Sequence, residues 1–125
     1  MTLVARILIG LIALFFLVNG LRFFFTPDAM AGVMFIAPAG VAGLSTIRGD
    51  LGGAFFATGV FALLGMRHQA THWLYAAAGI IAAIAFGRLV GFVFDGTVPN
   101  AVIGFIVEVV FVVVLLVGAR QLAKP

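Results

Sequence analysis

The stretch PNAVIGFIVEVVFVVVLLVG, Pro99 to Gly118, decides the fold. It is apolar throughout except near its start and at one charge, Glu108. A helix needs about 20 predominantly apolar residues to cross a bilayer, and this run supplies them. Pro99 suits the first helical position, where its missing N–H would have found no partner anyway. Working back along the chain, the same kind of run recurs at about residues 73–94, 45–66 and 7–25. The expectation is an all-α bundle of four transmembrane helices, forming a single integral membrane domain over residues 1–125.

Composition requires the same solvent. Apolar residues make up 65% of the 125 and charged residues 9%, whereas a soluble domain is about half apolar and about a quarter charged. A domain this small cannot bury that much apolar surface in its own core, so lipid must cover much of it. Disorder, nucleic-acid binding and a secreted disulfide scaffold are excluded. With no cysteine there are no disulfides, thiolate metal sites or CxxC redox chemistry. The net charge of +3 comes from scattered residues, not from a basic run, and reads as membrane topology.

The first run, Ile7 to Phe25, is long, rich in Phe and followed by no small-residue cleavage site, so it reads as a retained span. Thr26-Pro27-Asp28 then signals a helix start. Ala29–Ala37 is apolar but too short to cross, and Pro38 and Gly40 stop it. A short interfacial or re-entrant helix is expected between the first and second spans. Asp95-Gly96 marks a tight turn between the third and fourth.

Arg6, Arg67, Arg120 and Lys124 flank the spans on one side; Arg22, Arg48 and Arg88 lie toward the other, with acids nearby. The positive-inside bias places both termini and the Arg67 loop in the cytoplasm. Trp73 and Tyr75 then fall in the inner aromatic belt.

Polar residues gather in the outer half of the spans. Glu108 lies nine residues beyond Pro99, roughly 14 Å deep at 1.5 Å per residue, and Arg88 lies roughly 9 Å from the same surface. Arg88 and Asp95, seven apart, share a helix face. Asn19 and Arg22 end the first span there, and Arg48 and Asp50 begin the second. Charges at membrane depth are expensive, each about 2.5–3.5 kcal/mol near the bilayer centre on insertion scales. Arg22, Arg48 and Arg88 balance Asp50, Asp95 and Glu108, so the expectation is one buried, roughly neutral cluster, with Asn19, open toward the outer surface. Such a cluster either fixes helix register or forms a ligand-binding or catalytic pocket.

Other features read as structural. Gly79, Ala83, Gly87 and Gly91 recur every fourth residue of the third span and predict a face for close helix packing. The glycines of the second span carry the same expectation. His68 and His72 sit in the inner loop with no acid beside them, which offers no third metal ligand. No metal or cofactor is expected, and no span holds a His for haem ligation.

The string GLSTIRGDLGG, Gly43 to Gly53, the later Arg88-Leu89-Val90-Gly91 with Asp95-Gly96, and a Glu in the last span resemble a bacterial family of small four-helix membrane proteins, domain of unknown function 4345. The resemblance covers nearly the whole chain. It implies four spans in a bacterial inner membrane and no particular activity. The general architecture also looks like that of the DoxX-like group.

The leading reading is a non-catalytic membrane protein. Its outward-facing polar cluster binds a small molecule or lipid, or supports a membrane complex through a partner protein or a second copy. The alternatives are an enzyme acting on a lipid or isoprenoid, with Glu108 or Asp95 as acid/base and the arginines holding an anionic group, and a small transporter.

Overall fold

A computed structural model of the chain describes residues 2–125. The described residues form five helices: α1, Thr2–Phe25; α2, Pro27–Val33; α3, Gly40–Gly65; α4, His72–Phe94; and α5, Pro99–Ala123. All but α2 are long and apolar enough to cross a membrane, and there is no strand among the described residues. α1 packs against α3 and α5, and α4 packs against the same two, so the four spans form a ring in chain order. Short connections make chain neighbours antiparallel, the arrangement of an up-down-up-down bundle. Large apolar side chains such as Leu14, Phe86 and Val110 point outward and are exposed; in a bilayer they meet lipid.

The spans start earlier or run longer than the apolar pattern alone marks. α1 begins at Thr2, α3 at Gly40, and α5 continues to Ala123. Helical hydrogen bonding carries past the hydrocarbon edge, which hydropathy registers as the end of a span. α4 includes His72 at its first position.

The interfacial helix is present but shorter than expected. It ends at Val33 in a Schellman turn: Ile36 N–H donates to the Ala31 carbonyl at 2.8 Å and Phe35 N–H to Gly32 at 3.2 Å. Phe35 takes the left-handed conformation the turn requires, φ 58°, and no glycine marked the position. Met30 and Ala31 are buried in a small core with Phe23 and Ile47, which holds α2 against α1 and α3.

α3 contains a π-helical stretch, Ile47–Gly52, inside the GLSTIRGDLGG string. It brings the bare backbone of Gly52 against the side chains of Phe23 and Phe24; a Cβ there would lie 2.8 Å from the Phe24 ring. Close packing also falls at Gly20 against Phe56, Gly59 against Leu17, Gly65 against Leu74 and Gly118 against Ile9. The small-residue stripe of α4 does not pack. Gly79, Ala83 and Gly87 are exposed, and a Cβ on Gly79 or Gly87 would meet nothing within 4 Å. α4 instead turns Leu74, Ala77, Ala78, Ile81 and Ala85 inward. That face buries more apolar volume than a glycine stripe, and the stripe is left to the lipid side. Gly49 and Gly53 of α3 likewise have open space.

The bundle is tight at the end holding the termini and splayed at the end holding α2. The main core of Ile9, Phe16, Leu74, Ile81 and Leu115 lies in the terminal half. α4 has no buried residue after Ala85, and α5 none before Leu115. The α4–α5 hairpin therefore parts from the α1–α3 pair toward its Gly96 turn, where φ is +91°.

Candidate functional site

A cavity of about 490 Å³ occupies the space where the two pairs part. Phe15 and Phe16 of α1, Met30 and Met34 in and after α2, Phe55 of α3, Ile81 and Ile84 of α4 and Phe111 of α5 form its apolar walls. Its size is in the range of small-molecule sites, about 300–1,000 Å³, and its lining, apolar with few polar groups, is of their kind. The polar groups are Asn19, Arg88 and Glu108.

Arg88 Nε donates to Glu108 Oε1 at 2.8 Å, an end-on ion pair between α4 and α5. The two side chains are 31% and 13% exposed. Gly104 makes this geometry possible. It lies four residues before Glu108, hence on the same face of α5, and a Cβ there would stand 3.1 Å from the Arg88 guanidinium carbon. The guanidinium thus lies against bare backbone as it reaches the carboxylate. Glu108 Oε2 is sealed from solvent and has no hydrogen-bond partner. An acceptor left so typically costs about 1–3 kcal/mol. Asn19 is tied to its own helix: its amide donates to the Phe15 carbonyl at 2.8 Å, and Oδ1 accepts from Arg22 at 3.4 Å.

The six charges do not form one cluster. Arg22, Arg48, Asp50 and Asp95 are exposed, and Arg88–Glu108 is the ion pair among the described residues. Arg22 adjoins the cavity only through Asn19. Arg48 turns the other way and donates to the Phe24 carbonyl, one of the last carbonyls of α1, which have no partner within the helix. At the opposite end Arg6 donates to the Met66 carbonyl, just past α3, at 3.0 Å. Each helix of the antiparallel α1–α3 pair thus caps the end of the other with an arginine, a charge that also suits the negative end of the helix dipole. Asp95 follows the last residue of α4, its N–H on the Gly91 carbonyl, and lines no part of the cavity. Asp50 lies in the π-helical stretch and also lines no part of the cavity.

Sequence reasoning missed Gly104 and the aromatic walls. The signal for Gly104 was available: a glycine one turn before the acid of the last span, on its own face. The aromatic residues gave no such signal, because the chain carries 14 Phe and periodicity does not separate those facing a cavity from those facing lipid.

Fold and site together define a helical membrane protein of four candidate spans, with a largely apolar cavity between its helix pairs and one ion pair in the cavity wall. Residues 4–119 match the family described as Domain of unknown function (DUF4345), and the chain belongs to that family. No curated protein and no solved structure matches it.

Proposed function

We propose that the protein binds a small molecule or lipid in the cavity between the α1–α3 and α4–α5 pairs, with Arg88 and Glu108 as its polar anchor. One observation carries this reading: the only ion pair among the described residues stands in the wall of a cavity that is otherwise apolar but for Asn19. Intramembrane ionisable residues are costly and most often functional. A pair needed only to join α4 to α5 would have no use for a cavity of about 490 Å³ beside it.

The membrane we assign is a bacterial inner membrane, with both termini cytoplasmic and the cavity in the outer half. The support is the flanking bias, with Arg6, Arg67, Arg120 and Lys124 at the terminal end. Arg48, whose guanidinium is engaged by α1, takes no part in binding in this reading.

Native mass spectrometry after extraction in mild detergent tests the proposal. The wild type should retain a small-molecule or lipid adduct, and the Arg88→Leu, Glu108→Leu double variant should lose it while remaining folded. A wild type free of adduct, or a double variant that keeps it, would remove the support for binding at this pair.

A further inference from the structure

The cavity has a side entrance. Of the residues that line it, Phe15 on α1, Val33 on α2 and Val107 on α5 are exposed, at 45%, 58% and 39%. They mark a mouth between α1 with α2 on one side and α5 on the other. Phe15 is ten residues before the end of α1 and Val107 eight after the start of α5. At 1.5 Å per residue both stand roughly 12–15 Å below the helix ends, inside a hydrocarbon layer of about 30 Å. At the depth of Phe15 and Val107 the mouth opens to lipid, and Val33 carries its rim up to α2.

The polar end of the cavity is electrically balanced. Arg88 and Glu108 neutralise each other, and the remaining polar lining residue, Asn19, is uncharged. An ammonium or phosphate head would enter with no countercharge left for it. The hydrogen-bonding capacity is not used up. Arg88 engages Glu108 through Nε alone, and no hydrogen bond from either terminal guanidinium nitrogen is made among the described residues. Glu108 Oε2 lacks a donor, and the terminal torsion of Glu is soft enough to turn it toward one. A hydroxyl oxygen can accept from the guanidinium and donate to that carboxylate oxygen at once.

We propose that the occupant is a bilayer-borne amphiphile with a neutral, hydroxyl-bearing head and an apolar tail, and that it enters sideways between α1 and α5 beneath α2 to dock on Arg88 and Glu108. This rests on the ligand-binding reading above and narrows it to one head chemistry and one route.

Three photoactivatable twelve-carbon probes that differ only in the head test it: a primary alcohol, a carboxylate and a trimethylammonium. Each is added at equal membrane concentration to the protein in phosphatidylcholine nanodiscs, and labelled peptides are mapped by mass spectrometry. The alcohol should label segments 15–19 and 104–111 at least tenfold more than either charged probe. Val107→Trp, a rim change on an exposed position that leaves the pair intact, should lower that labelling severalfold. Excess unlabelled dodecanol should compete it away in the wild type, a readout that needs no variant. If a charged probe labels these segments best, or all three label them equally, the neutral-head inference is wrong while the ligand-binding reading stands. Strong labelling by the alcohol that Val107→Trp leaves unchanged would overturn the lateral route. If no probe labels these segments above exposed α4 positions, or if a second copy of the chain is crosslinked across the mouth in its place, the binding reading itself fails.

Discussion

The two ends of this bundle are built from the same few residue types and behave in opposite ways. At the terminal end, Gly65 lets Leu74 touch the α3 backbone and Gly118 admits Ile9. Side chains interlock there, and the core of Ile9, Leu74, Ile81 and Leu115 is fully buried. At the α2 end, large side chains meet across a gap, with Phe15, Phe55 and Phe111 facing a space they do not fill. Lipid does not drive helices together as water does, so association in a membrane depends on close contact and polar bonds. At the α2 end Gly20 and Gly52 still close α1 onto α3, but between that pair and α4–α5 no small residue among those described makes such a contact, and one ion pair and a side helix hold the shape.

The pair should be the most sensitive point of the open end. Glu108→Leu alone strands Arg88 and removes its partner. Breaking a buried pair costs about 3–5 kcal/mol, and the low end applies because the Arg88 side chain keeps 31% exposure. Thermal unfolding in detergent should show a large fall for this variant and for Arg88→Leu. Glu108→Gln should fall less, since the amide still accepts from Nε. The double leucine variant should recover most of the loss, because apolar replacement of a buried pair is often neutral or stabilising. A double variant as unstable as the singles would mean that the charges hold α4 to α5 in a way packing cannot replace, and the open end would then be open for structural reasons.

The closed end breaks by a different route and by somewhat less. A Cβ on Gly59 would lie 2.6 Å from Leu17 Cγ, 2.8 Å from the Leu17 backbone nitrogen and 3.0 Å from the Ala13 carbonyl oxygen. Two of those three are main-chain atoms and cannot swing away. Gly59→Ala should therefore push α3 off α1 and lower stability by about 1–3 kcal/mol, against the usual helix preference for Ala over Gly. The same melting measurement checks it; a rise would mean that α1 and α3 do not approach this closely.

Architecture was legible in the sequence because it depends on quantities that local composition carries. Span number, the interfacial helix and the Gly96 turn follow from apolar run length and turn residues. The meeting of Arg88 with Glu108 was legible too, since both depths are counted from helix ends along rigid rods. What was not legible is rotation about those rods. Whether Gly87 or Ala78 faces a neighbour is set by how four helices pack together, and a span apolar all round has no polar face to announce its orientation. For the same reason, Arg48 and Arg88 look alike in the sequence, yet one caps α1 and the other faces the cavity.

That difference between the two arginines gives a smaller effect. Arg48→Gln keeps some hydrogen-bonding capacity toward the Phe24 carbonyl but loses the charge at the end of α1. Such charge–dipole contacts at exposed sites contribute about 0.3–1 kcal/mol. The melting temperature should drop slightly, and any adduct retained by the wild type should survive. Loss of the adduct with stability unchanged would place Arg48 in the binding site and reopen the single-cluster arrangement.

The smallest expected effect is the one that separates pattern from packing. Gly87 belongs to a stripe whose spacing matches the contact motifs of transmembrane helix pairs, and on spacing alone Gly87→Leu should clash. In the folded chain Gly87 is exposed and a Cβ meets nothing within 4 Å. The substitution adds an apolar side chain on the lipid face and replaces the weakest helix former short of proline with one of the strongest. The monomer should lose no stability and could gain a fraction of the roughly 1 kcal/mol that separates the two residues in helix propensity. Parallel melting curves of Gly87→Leu and Gly59→Ala in the same detergent give the comparison directly. The first should overlay the wild type or lie just above it, and the second should fall well below. A Gly87→Leu curve that falls as far as Gly59→Ala would show that α4 is rotated from the orientation described, with the stripe turned inward. That rotation would carry Arg88, one residue further along the same helix, away from its present place in the cavity wall, so the ion pair and the site would go with it.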